Sequence, residues 1–176
     1  KFDVMPLSND PAAQRDDLIA SVVEGFEEWS LVRPIATIRD GDGAVIEAII
    51  DTGDGFDIFR MFRLWPREDV YFLGQLSLEF KSGSAGRPET LDLIELFQPQ
   101  LLRPEPPADL PIAESLPPSR PGSRFNFRDL IEVEPYGFMD IRVPSCWQSE
   151  EDDEGHVAYF DPDEEAMTLF VNYVLI

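Results

Sequence analysis

The chain has 176 residues, with 14 Lys+Arg against 35 Asp+Glu, a formal net charge of −21, and 43% hydrophobic residues. That length suits one folded core, or one core plus part of a second, and no run reaches the roughly 18–20 apolar residues of a membrane-spanning helix. A single cysteine, Cys146, excludes an internal disulfide framework, and the acidic field opposes a phosphate backbone.

In chain order, residues 2–5 alternate and predict a short strand. Asp10-Pro11 reads as a helix start, with Asp as N-cap and Pro at the first helical position. Leu18, Ile19, Val22, Val23, Phe26 and Trp29 then recur at helical spacing, which predicts a helix over 11–29 lying on a sheet. Four strands follow, at 34–39, 44–50, 56–65 and 70–81. They are separated by Asp/Gly-rich turns at 40–43 and 51–55 and by a turn at 66–69. Short turns between successive strands predict an antiparallel meander. In the third strand, Phe59, Met61 and Trp65 share one face, while Phe56, Ile58, Phe62 and Leu64 share the other. Both faces are therefore expected to be covered, one by the helix and the other by the C-terminal block, the linker or a second subunit. Residues 82–88 read as a loop and 89–97 as a short second helix.

Residues 99–124 hold eight of the 16 prolines and read as a semi-rigid linker or strap. Residues 125–176 return to strand chemistry, at 130–134, 137–143, 156–160 and 168–176, with acidic loops at 150–154 and 161–165. The expected class is α+β: an antiparallel sheet with one long helix on one face and a short second helix. The expected division is 1–98 for helix plus meander, 99–124 for the linker, and 125–176 for a β-rich block pairing with the first part or with another copy.

The run Tyr136-Gly137-Phe138-Met139-Asp140-Ile141-Arg142-Val143-Pro144, followed by Trp147, by Phe160-Asp161-Pro162-Asp163 and by an apolar strand, resembles the opening of a PsbP-like domain. In that family a helix, an antiparallel meander and a final helix come next, and residues 1–97 resemble that part. The two halves stand here in swapped order. The family has no common catalytic site, so the resemblance implies an accessory or binding role and transfers no functional residue.

His156 is the single histidine, so any Ser-His-Asp or Cys-His arrangement has to use it. A Cys146–His156 pair across neighbouring strands is one reading; a strand-edge histidine and a buried structural cysteine is the other. Asp51, Asp54 and Asp57 recur at every third position through a Gly-rich turn. Oxygen-rich loops of that kind hold calcium, but Asp and Gly are also plain turn formers and the spacing does not match an EF-hand. No stretch matches a phosphate loop.

The acids concentrate late: residues 125–176 carry 13 acids and two bases. Glu150, Glu151, Asp152, Asp153, Glu154, Asp161, Asp163, Glu164 and Glu165 are the candidate binding residues, as a docking surface for a basic partner or for divalent cations. The expected function is a non-catalytic acidic binding or accessory module for a protein partner, with no cofactor, no structural or catalytic metal and no nucleic acid. A secretion-chaperone-like homodimer is the first alternative, and a carboxylate- or divalent-metal-dependent enzyme the second. The compartment, cytoplasm or periplasm, is left open.

Overall fold

The computed structural model describes residues 10–41, 43–67, 70–102, 119–125, 129–133, 141–152, 156–163 and 167–175. The strand expected at 2–5 and the body of the proline-rich stretch, 103–118, lie outside them.

Helix α1 (Pro11–Glu27) opens as its sequence dictates: the Asp10 carboxylate accepts the Ala13 N–H at 3.1 Å, with proline at the first position. It stops two residues short of expectation, and Trp29 falls outside the helical stripe, 45% exposed. The Arg15 guanidinium donates to the Gly41 carbonyl at 2.9 Å, and Asp16 pairs with Arg39, also at 2.9 Å. These bonds tie the start of α1 to the first hairpin turn. The Arg15 and Arg39 guanidinium groups hold the Asp16 carboxyl below its usual range.

The meander follows: β1 (Ser30–Asp40), β2 (Gly43–Asp51), β3 (Phe56–Arg67) and β4 (Val70–Lys81). Strand β1 begins four residues earlier than expected, because Ser30 and Leu31 pair with Asp51 and Ile50. Pro34 falls where the register shifts between Arg33 and Ala36, so the ladder does not need its missing N–H. In the β2–β3 turn Gly53 and Gly55 have φ of 78° and 99°, which side chains rarely tolerate.

Helix α2 (Pro88–Leu102) outruns the expected 89–97 and passes through Pro99. Leu93, Leu96 and Phe97 are fully buried before that point. A proline there has no N–H to give residue 95, so one intrahelical bond is lost while the helix continues. The two helices have 17 and 15 residues, so the contrast of one long and one short helix does not hold. Strands dominate the described structure.

The remaining strands are β5 (Leu130–Val133), β6 (Ile141–Pro144), β7 (Gln148–Glu151), β8 (Val157–Phe160) and β9 (Met167–Leu175). Strands β5 and β6 form a separate hairpin. The other seven make one sheet in the order β1-β2-β3-β4-β9-β8-β7, antiparallel at every junction. The C-terminal strand β9 thus pairs with β4 along nine residues.

Each face of this sheet carries its own cluster. On one face, Ile49, Phe59, Leu78, Leu169 and Tyr159 stand in a single row across five strands, all buried. Leu93, Leu96 and Phe97 of α2 cover them, together with Ile141, Val143, Trp147 and Phe125. On the other face, Ile19 and Phe26 of α1 pack on Ala44, Ile46, Ala48, Ile50 and Leu64. Phe26 meets Phe62 edge-on at 5.5 Å. The two apolar faces of β3 are therefore both used, by different helices.

Candidate functional site

The candidate acids divide by place. Glu150 and Glu151 lie on strand β7 and not in a loop, with Glu150 opposite Ala158 and Glu151 opposite Val157. All four β7 residues are exposed, and β7 is one open edge of the sheet. Asp152 closes the hairpin. It accepts the His156 backbone N–H at 2.9 Å, its own N–H donates to the His156 carbonyl at 3.0 Å, and its second oxygen lies 2.9 Å from His156 Nδ1. Asp163 is exposed, and its N–H caps the Asp161 carboxylate at 3.0 Å.

Asp161 departs from the expectation of a solvated turn. It is 2% exposed and sits 2.5 Å from the Arg124 guanidinium. A buried carboxylate needs such a partner, so it is a clamp and not a docking residue. Asp153, Glu154, Glu164 and Glu165 lie outside the described residues.

Cys146 and His156 are not brought together. Gln148 pairs with Phe160 and Glu151 with Val157. Cys146 thus precedes one end of the β7–β8 ladder while His156 stands at the other, about 10 Å of strand away. Cys146 is exposed, contrary to the buried structural reading. In this turn it is Trp147 that points inward, near Phe97 at 6.0 Å and Phe125 at 6.2 Å.

The aspartates of the β2–β3 turn are engaged by nearby backbone N–H groups and hydroxyls. Asp51 accepts the Gly53 N–H at 2.8 Å. Asp54 accepts the Thr52 hydroxyl and the Phe56 N–H, and the Thr52 bond is the first cause holding its carboxyl below the usual range. Asp57 is buried and accepts Ser82 Oγ at 2.8 Å and the Gly83 N–H at 3.1 Å. These are turn and loop bonds. Among the described residues no group of three His, Cys, Asp or Glu side chains is placed to hold a metal.

A second clamp holds the end of the proline-rich stretch. Asp92, fully buried on α2, accepts the Arg120 backbone N–H at 3.0 Å and the Arg120 guanidinium at 2.7 Å. Glu95 takes the other guanidinium nitrogen. Glu95 first, and then Asp92, hold the Arg120 proton above the ordinary range.

What the sequence reading missed is the opposite edge. Trp29, Leu31, Val32 and Ile38 are 45%, 39%, 49% and 53% exposed on or beside β1. The signal was present in the unbroken apolar pair Leu31-Val32 ahead of Arg33, but the strand was expected to start only at residue 34. A recess of ≈ 280 Å³ opens nearby, lined by Gly43, Ala44, Val45, Arg63, Leu64, Trp65 and Pro66, with Arg63 stacked 5.6 Å over Trp65. Among the described residues no carboxylate lines it. The apolar β1 edge and the acidic β7 edge are six strand spacings apart, roughly 29 Å.

Comparison with protein-family models, with curated proteins and with solved structures gave no match.

Proposed function

We propose that this chain is a non-catalytic binding module that takes a protein partner along β1. The observation that carries the reading is the placement of its exposed apolar side chains. Of six large hydrophobics exposed among the described residues, four fall within Trp29–Ile38 at one edge of the sheet. Single exposed apolar residues are ordinary, whereas a clustered set marks a contact surface. The net charge of −21 favours a basic partner by steering its approach. Glu150, Glu151, Asp152 and Asp163 contribute to that field from the far edge.

The test is affinity capture by the unaltered chain and by a Leu31→Ser/Val32→Ser variant, at two salt concentrations. A partner held by the first, lost by the second and weakened by salt is the expected result. Equal capture by both chains overturns the reading.

The homodimer reading rests on the same open edge, with a second copy as occupant. Light scattering at micromolar concentration separates the two: a dimer that persists on dilution favours the second copy, and a monomer favours a different protein. Pro34 and the two register shifts of β1 weigh against strand-to-strand pairing there. We infer further that the chain has a PsbP-like α+β fold with its halves in swapped order. Its support is that β9, from the half resembling the family's opening, lies in register beside β4 of the other half. The swapped halves thereby share one sheet.

A further inference from the structure

On the half of the sheet that α1 leaves open, Arg60 has no carboxylate partner among the described residues, unlike six other arginines of the chain. Arg15, Arg33, Arg39, Arg120, Arg124 and Arg142 each lie within 3.6 Å of a carboxylate. Arg60 is partly buried, and its one hydrogen bond runs from Nε to Ser77 Oγ at 3.3 Å. Gln75 Nε2 lies 3.2 Å from the same oxygen. The two terminal nitrogens of the Arg60 guanidinium meet no acceptor among the described residues.

The nearest acid by register, Glu79, stands opposite Ile58, one step along the same face. Its carboxyl is pushed up by burial and then by the charge of Asp54, and it forms no ion pair with Arg60 among the described residues. Burial likewise pulls Arg60 below its ordinary range with no carboxylate to offset it. A partly desolvated cation without a counter-ion is costly, the more so in a chain with 35 acids to offer.

Polar and apolar groups share this floor. The row through Arg60 reads Ala48, Arg60, Ser77, Phe170, Ala158, Glu150, with Gln75, Glu79 and Thr168 in the flanking rows, so the apolar part is Phe170 and Ala158 between Ser77 and Glu150. Phe170 is 37% exposed, and Phe62 lies two residues along β3 on the same face. Helix α1 packs on β1 and β2, so its flank makes a step beside this floor, with Phe26 and Phe62 at the foot. We propose that this ledge binds a monocarboxylate with an apolar tail. The carboxylate takes the two free arms of the Arg60 guanidinium, a geometry suited to bidentate pairing. The tail runs over Phe170 and Ala158 toward β8. This site is separate from the β1 edge and does not depend on it.

The test is an NMR titration of the full chain with octanoate, with octanol as the neutral match and acetate as the tail-less one. Saturable shifts at Ser77 and Phe170 with octanoate, absent with octanol, are expected. Arg60→Gln weakens octanoate by roughly tenfold or more, and Arg60→Lys recovers part of the loss. Phe170→Ser changes an exposed position, so its fold is safe; it weakens octanoate and leaves acetate unchanged. The site is overturned by non-saturating shifts, by equal response to octanol, or by full octanoate affinity in a folded Arg60→Gln or Phe170→Ser chain.

Discussion

Leu169 and Phe170 are neighbours in β9, yet one faces the core and the other solvent. Leu169 is fully buried between Leu78 and Tyr159, beneath α2. Phe170 pairs with Ser77 and stands 37% exposed. Successive residues of a strand point to opposite faces, so one step along the chain crosses from a closed layer to an open one. The same alternation separates Phe59 from Arg60 in β3. This sheet is sealed unevenly: α2 and the β5–β6 hairpin close one face, whereas α1 closes only part of the other.

The largest effect that tests this contrast comes from the closed face. Leu169→Ala is expected to cost about 2–5 kcal/mol, since it removes packing and leaves a cavity. Chemical denaturation measures it. Next comes the clamp that holds the end of the proline-rich stretch over α2. Asp92→Ala strips a buried acceptor from the Arg120 backbone N–H and from its guanidinium, at about 2 kcal/mol. In hydrogen exchange, the amides of residues 119–125 should lose protection before the sheet does.

On the open face Phe170→Ala is expected to stay within about 0.5 kcal/mol of the unaltered chain. A cost similar to that of Leu169→Ala would mean that this face is closed after all. The smallest effect belongs to Glu79. Its folded carboxyl titrates above the unfolded one, because burial and Asp54 disfavour its charge. The protonated form is therefore the one the fold prefers. The penalty is absent below the unfolded value, sets in as pH rises through the folded value, and is complete at neutral pH. Glu79→Gln should thus stabilise the chain by a few tenths of a kcal/mol at pH 7 and leave it unchanged near pH 3. Paired melting curves decide it.

Much of the fold is local and was legible for that reason. Asp10-Pro11 announces α1, the Asp/Gly turns separate the strands of the meander, and the alternation from Val70 to Lys81 matches β4 end to end. Both faces of β3 are covered, as its paired apolar sets required. The misses are residues whose state is imposed from a distance. Gln148-Ser149-Glu150-Glu151 shows no apolar period, and its strand conformation comes from pairing with β8. Asp161 looks like any turn acid until Arg124 is brought beside it. Asp92 sits among leucines with no mark of the Arg120 it will receive, 28 residues away. The apolar edge at Trp29–Ile38 escaped because a proline inside the run was read as a boundary, whereas the register shift accommodates it.

The place of β9 beside β4 bears on how the chain comes to be folded. Helix α1 and strands β1 to β4 are contiguous and need only short closures. The strand that completes β4 is not made until residues 167–175. At a synthesis rate of about 5–20 residues per second, β4 waits several seconds or more with one side of its backbone unpaired. Contacts of such sequence separation also slow folding in a test tube. The interval leaves Leu76, Leu78 and Phe80 without Val171, Leu169 and Met167, the β9 neighbours that flank them in the finished sheet. A nascent chain is thus most open to chaperones, and to aggregation, around β4, and the arrival of β9 closes that edge.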